Sequence, residues 1–298
     1  MAKPFLKWAG GKRQLLDEIS SRFPTDLESY STYAEPFVGG GAVLFHLLDK
    51  YEFDEVHIFD INPELTLCYE MLKDSAEKVW NQLKTMINEY PPQGTDEQKE
   101  YFYSVRQAWN DGIPKLETMS KPKKVKRVAQ TMFLNKTCFN GLFRVNSKGE
   151  FNVPIGSYKN PSFPSKQDLI EVQSALEKVT IHLGSFEECW ELIDEKTFVY
   201  FDPPYRPLSE TSHFVSYTKG AFDDDDQKRL AAFVQEVDNA GGKFILSNSD
   251  PKNTVPDDEF FDDLYSGFKI DRILCNRAIN SKASKRGAIT ELLIGNCW

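Results

Sequence analysis

The sequence predicts an α/β protein built on one open sheet, with a mainly helical segment inserted into it. Three observations carry that prediction. Short, apolar, β-rich runs alternate with amphipathic helical patterns, the alternation lapses between about 64 and 164, and one strand–glycine–helix–strand unit ends in an acid. A chain of 298 residues holds one large domain or two ordinary ones, and 40% hydrophobic residues with 22 Phe, 12 Tyr and 5 Trp support a substantial core.

Taken in order, the runs 32–37, 55–60, 179–183, 198–202, 243–247, 268–274 and 289–294 predict strands. Helical patterns fall at 65–90, 97–109, 123–136 and 227–239. Ser165 and Asp168 form a capping box that opens a further helix over 167–178. The segment 91–98, PPQGTDEQ, is a turn-rich surface linker. The expected division is a discontinuous domain over 1–63 and 165–298, interrupted by a helical domain over 64–164 that ends in a loop or hairpin.

Composition narrows the function. The five cysteines are far apart and form no CxxC, which disfavours a disulfide scaffold or zinc knuckle, and four scattered histidines give no metal cluster. No stretch approaches the roughly 20 apolar residues that span a bilayer. The N-terminus MAKPFLKWAGGK has no apolar signal core, so a cytoplasmic location is expected. The net charge of −9 argues against a polyanionic partner, but its distribution argues for one. Residues 112–160 hold ten Lys and Arg against two Glu, and 269–287 hold six against one Asp. Phosphate binding follows such local clusters, although solvated faces also carry them.

Three pieces carry chemistry. YAEPFVGGGAVLFHLL (33–48) runs from strand through Gly39, Gly40 and Gly41 into a helix, and the next strand ends in Asp60. Glycines permit positive φ and close ligand approach, and an acid at that place suits ribose hydroxyls. Alone, a glycine turn fits a structural turn equally well. FLKWAGGKRQLL (5–16) tempts towards a phosphate-binding loop, but its spacing and Arg13 in place of Ser or Thr break that pattern. A tight turn is the simple account; Trp8 beside Gly-Gly also suits the wall of an adenine pocket. The third piece is Asp202-Pro203-Pro204-Tyr205, closing the strand FVYF. Proline fixes φ and leaves carbonyls free to accept. A carboxylate, a rigid acceptor carbonyl and a flat ring together suit a planar amino group on a base, whose lone pair two acceptors would localise. Asp and Pro also end strands in ordinary turns.

Together FLKWAGGK (5–12), EPFVGGG (35–41), the acid of FDIN (59–62), FNGLFRVNSKGEFNVPIGSYK (139–159), DPPY (202–205) and LSETSHFVSYT (208–218) resemble the Dam family of N6-adenine DNA methyltransferases, from about residue 4 to 294. The resemblance implies a Rossmann-like sheet with an inserted target-recognition domain and β-hairpin, S-adenosylmethionine as cofactor with S-adenosylhomocysteine as product, no metal, and double-stranded DNA as partner. It implies that Trp8, Ala9, Gly10, Lys12, Glu35, Phe37 and Gly39 border the cofactor. Asp60 would take the ribose, with Ile61, Ser185 and Phe186 near the adenine. Asp202, also at the cofactor's edge, Pro203, Pro204 and Tyr205 would be catalytic. For DNA it implies Lys7, Phe139, Asn140, Leu142, Arg144, Asn146, Pro154, Tyr158 and Lys159, with Arg277, Lys285 and Arg286 on the backbone. Phe139 and Leu142 suit wedges into the stack, Arg144 a bidentate guanine contact and Pro154 a thymine methyl. GATC is the implied target, in a bacterial or phage-infected cell, with no obligate protein partner evident. Ser157 departs from the Arg of many relatives, and 276–293 keeps only the family's basic character. A cytosine-N4 enzyme usually carries Ser in place of Asp202, and a cytosine-C5 enzyme needs a Pro-Cys that is absent here. A DNA-binding module that has lost catalysis would show a broken motif.

Overall fold

The structure, a computed structural model, describes residues 1–92, 94–113, 116–206, 222–276 and 288–298. Seven strands form one sheet: β1 (Thr32–Glu35), β2 (Glu55–Asp60), β3 (Val179–Leu183), β4 (Thr197–Phe201), β5 (Lys243–Ser249), β6 (Lys269–Asn276) and β7 (Ala288–Gly295). Their order is β3-β2-β1-β4-β5-β7-β6. The first five are parallel, whereas β7 inserts antiparallel between β5 and β6. All seven predicted strands are present with ends moved by a few residues. β4 is buried at every position, as a strand covered on both faces must be.

Chain order reverses between β1 and β4, so their carboxyl ends diverge into a crevice, the usual ligand position in open α/β sheets. The glycine turn after β1 and Asp202 after β4 both lie at that edge.

The helices are α1 (Leu16–Ser20), α2 (Ala42–Lys50), α3 (Pro63–Glu89), α4 (Asp96–Asp111), α5 (Lys121–Thr137), α6 (Lys166–Ala175), α7 (Asp224–Asn239) and α8 (Phe260–Leu264). Local chemistry sets their starts. Pro63 stands in the first turn of α3, and the Asn62 side chain accepts the Glu64 N–H at 3.0 Å. Thr95 caps α4, and the expected capping box opens α6. Asp223 starts α7 three residues before the predicted position by accepting from the Asp225 and Asp226 N–H groups. The tight turn expected after the glycines spans Lys12–Gln14 and leads into the short α1.

Between β2 and β3 the described chain is helical, followed by a loop that bridges antiparallel only at Cys138–Ile155 and Val145–Phe151. One apolar cluster runs from the sheet face (Tyr33, Ile58) through α3 (Leu65, Leu72) to α4, α5 and the loop (Trp109, Phe133, Phe151). The basic run of this segment is smaller on the surface than in the sequence. Arg127 is buried, pairs with Glu64 at 2.7 Å, donates to the Trp109 and Gly112 carbonyls and stacks on Trp109. Burial, with Lys7 and Arg13 nearby, pushes the Lys136 ammonium down to about 8. Among the described residues no helix is long and apolar enough to cross a membrane.

Candidate active site

The crevice is built first by backbone. Gly39 and Gly41 hold φ of +47° and +71°, and a Cβ on Gly41 would stand 2.5 Å from the Tyr69 hydroxyl. Tyr69 donates that hydroxyl to the Gly39 carbonyl at 3.0 Å, fixing the turn from beneath. Trp8 lies against the turn, its indole 3.0 Å from where a Gly39 Cβ would be. The absence of side chains at 39–41 lets the Trp8 indole and the Tyr69 hydroxyl pack directly on this backbone, a glycine cradle walled by an aromatic ring.

Asp60 closes one side. Its carboxylate accepts the Gly39 N–H at 3.3 Å and the Asn62 N–H at 2.8 Å. Burial nevertheless raises its pKa to about 6, against those two donors. A carboxylate has about four acceptor sites, so two remain for further hydroxyls. Ile61 is 70% exposed beside it. Across the crevice Phe37 stacks on Phe186 with centroids 5.5 Å apart, and Phe222 meets both edge-on. Ser185 caps the turn that carries Phe186 through Glu187 and Glu188.

The acids at the ends of β1 and β4 face each other electrostatically. Glu35 is 2% exposed and accepts from the Tyr33 hydroxyl at 2.7 Å. Burial chiefly, then the Asp202 charge, raises its pKa to about 8, against the Tyr33 hydroxyl and the Lys12 charge. Asp202 is raised for the same first reason, while Lys12 opposes the shift. Lys12 Nζ lies 2.7 Å from Asp202 Oδ1, 2.6 Å from the Gly10 carbonyl and 4.5 Å from the Tyr205 ring centroid. That lysine is 4% exposed, so the sequence's "tight turn" also serves to bury a cation against the β4 carboxylate.

The DPPY segment is braced from behind by residues with no motif. Gln227 donates to the Pro204 carbonyl at 3.1 Å and is itself held by Asn248. Ser249 donates to the Arg206 carbonyl at 2.9 Å, and Arg206 forks onto Asp224 and reaches Asp258. Tyr205 donates its hydroxyl to Glu291 on β7 at 2.6 Å. The only local sequence signal for this bracing is the polar triplet Ser247-Asn248-Ser249 inside an otherwise apolar strand.

The predicted DNA-facing residues form a second group next to the crevice. Asn135, at the buried end of α5, clamps both sides. It accepts the Lys7 N–H and donates to the Lys7 and Gly141 carbonyls, all at 2.8 Å. Trp8 stacks on Phe143, and Lys7 Nζ lies 3.3 Å from the Tyr158 hydroxyl and over its ring. The N-terminal segment and the 139–159 loop are thus one surface. Phe139 is 52% exposed where the loop leaves α5, and Asn140 beside it takes φ of +56°. Pro154 and Lys159 are exposed, whereas Leu142 is half-buried against the core. Arg144 donates its Nε to Asn152, and Asn146 holds the turn by accepting the Lys148 and Glu150 N–H groups. Ala9 and Gly10 are exposed beside Trp8. Arg277, Lys285, Arg286 and the segment 208–218 lie outside the described residues.

Residues 8–279 match the family described as D12 class N6 adenine-specific DNA methyltransferase. Type II methyltransferase M.MjaIII of Methanocaldococcus jannaschii is 49% identical, with 99% of each chain aligned. Type II methyltransferase M1.LlaDCHI of Lactococcus lactis is 39% identical over 99% of this chain and 95% of its own. A DNA adenine methylase of Vibrio cholerae is 32% identical over 98% and 95%. The family implies S-adenosylmethionine use and a DNA substrate. The family match covers most of the chain and these relatives align along nearly all of it, so the protein belongs to the D12 class N6 adenine-specific DNA methyltransferases.

Proposed function

We propose that the enzyme methylates N6 of an adenine extruded from duplex DNA, within GATC. The observation that carries the reading is the position of Asp202: its half-buried carboxylate stands at the carboxyl end of β4, beside the glycine cradle at the end of β1. The cradle and Asp60 fit S-adenosylmethionine, with the 39–41 backbone close to the ligand, Asp60 on the ribose, and Ile61 and Phe186 flanking the adenine. Trp8, Ala9, Gly10, Lys12, Glu35, Phe37 and Ser185 would complete that wall.

When bound, S-adenosylmethionine supplies the sulfonium methyl. The protein's part is to hold the amine. Asp202 Oδ1 is already engaged by Lys12, so Oδ2 and the Pro203 carbonyl are assigned to the two N–H groups of the target. Pro204 keeps that carbonyl in place, its own being held by Gln227. Tyr205, oriented by Glu291, stacks on the base, and such stacking contributes about 1–3 kcal/mol. Extrusion is required because a stacked adenine cannot present N6 in line with the methyl. Direct displacement then needs orientation more than a strong base.

Residues 64–164 form the target-recognition region in this reading. Phe139, exposed at the start of the loop, wedges into the stack with Leu142 and Asn140 behind it. Arg144 reads guanine and Pro154 touches a thymine methyl. Lys7, Asn146, Tyr158 and Lys159 contact the backbone, with Arg277, Lys285 and Arg286 added from the basic tail.

The test is labelled-methyl transfer to duplexes carrying one GATC or one GTAC, with Asp202→Ala alongside. Label as N6-methyladenine only in GATC, lost in the variant, is expected. Equal label in both sequences would remove the assignments to Arg144 and Pro154.

A pH dependence follows from Asp60. Its free-state pKa is raised to about 6, and ribose hydroxyls favour the ionised form. Binding below that pH must expel a proton, so affinity falls as pH drops through about 6. Calorimetry should show binding about tenfold weaker at pH 5 than at pH 7.5, one decade per pH unit below the pKa. Asp60→Asn should be weaker at both pH values and flat between them. A flat wild-type profile would remove Asp60 from the cofactor site.

A further inference from the structure

The recognition loop contains a side chain that no motif singled out: Asn152, which faces Arg144 across the hairpin. Arg144 donates Nε to Asn152 Oδ1 at 2.7 Å, and the Asn152 N–H donates to the Arg144 carbonyl at 3.1 Å. A guanidinium can address two acceptors side-on, through Nε and one terminal nitrogen, or end-on, through both terminal nitrogens. With Nε taken by Asn152, the end-on pair is the one left to project from the loop.

The acceptor rests on a rigid base. Asn110 of α4 accepts the Phe151 N–H at 2.8 Å and donates to the Phe151 carbonyl at 3.2 Å. Arg106, one turn earlier on the same helix, reaches the Val153 carbonyl at 3.4 Å. Residues on both sides of Asn152 are therefore tied to a sixteen-residue helix, and Phe151 is itself buried against Trp109. On the other strand Asn146 sets the turn two residues beyond Arg144.

We infer that Asn152 is a specificity-positioning residue: it holds the Arg144 guanidinium end-on for a bidentate contact with the O6 and N7 of one guanine. This deepens the reading of Arg144 given above and rests on it. Asn152 itself touches no base in this assignment. Without it, Arg144 regains the Nε donor and several rotamers, and the fork must be ordered at each encounter.

The test compares kcat/KM on GATC with that on duplexes in which the guanine is replaced by adenine or by 7-deazaguanine, which lacks N7. Wild type, Arg144→Ala, Asn152→Ala, Asn152→Ser and Asn152→Asp are measured together, each checked by its circular dichroism spectrum and melting curve. Asn152→Ala should lower the preference for guanine over its replacements about 2–10-fold, the value of ordering one long side chain. Asn152→Ser, too short to reach Nε, should do the same and serves if the alanine variant does not fold. Asn152→Asp keeps the acceptor, so it should raise KM on all duplexes alike and keep the preference within about twofold of wild type, since an added negative charge opposes phosphate binding without informing on sequence. Folded Ala and Ser variants with the wild-type preference, alongside an Arg144→Ala variant that has lost it, would overturn the positioning role alone. An Arg144→Ala variant with full preference would overturn the guanine reading beneath it.

Discussion

Asp202→Ala is expected to lower the single-turnover rate of methyl transfer by about 10²–10³-fold, the usual loss when one preorganised group aimed at developing charge is removed. Asp202 meets the requirements for that role through position: it follows the last buried residue of β4, stands at the crevice edge and keeps a cation, Lys12, 2.7 Å from one oxygen. The same contact complicates the variant, because deleting the carboxylate strands a lysine that is 4% exposed. Asp202→Asn separates the two effects. It retains shape and one acceptor oxygen but no charge for Lys12, so its rate should fall between wild type and the alanine variant. Cofactor binding, followed by fluorescence of the neighbouring Trp8, should change much less than the rate. An alanine variant within about fivefold of wild type would exclude Asp202 from the reaction, that loss being far below the range just given.

Glu64→Gln should produce the largest loss of stability, about 3–5 kcal/mol, read as a fall in the urea midpoint. Glu64 opens α3 directly after the Asp60 strand end, and both its oxygens accept from Arg127 of α5 at 2.7–2.9 Å. Arg127 is 4% exposed, with its Nη1 donors spent on the Trp109 and Gly112 carbonyls at the end of α4. Removing the carboxylate leaves a cation inside the helical segment with no countercharge. Replacing both partners, Glu64→Leu with Arg127→Met, should recover much of the loss, because a buried pair contributes little beyond a well-packed apolar substitute. A Glu64→Gln protein melting as wild type would mean that this pair is solvated in solution. The effect reaches the site, since Asn62 couples the start of α3 to Asp60.

Much of the fold was legible locally. A strand covered on both faces, such as FVYF, announces itself by an apolar run, and its end by residues that cannot continue a ladder. Ser165 and Asp168 marked a helix start because capping needs only neighbours in sequence. The helix boundary at Asp224 was misplaced because four successive acids, 223–226, can each cap a helix, and only the packing that makes Asp223 the cap decides among them. The catalytic and cofactor candidates were legible as motifs, whereas the residues that brace them were not. Gln227, Asn248, Glu291 and Asn135 are ordinary polar residues until packing leaves them buried beside a carbonyl or hydroxyl that needs a partner.

The sequence by itself determined the α/β class, the seven strands, the glycine turn whose φ values few other residues tolerate, and the order of the family's motifs. These follow from local stereochemistry and periodicity, which a chain carries wherever it is placed. Only the tertiary structure decided that β7 inserts between β5 and β6, that Lys12 is the partner of Asp202, and that Arg127 turns inward to Glu64 and away from any phosphate. Strand order and charge pairing depend on which distant surfaces exclude water together, and a buried charge takes the countercharge that packing places beside it.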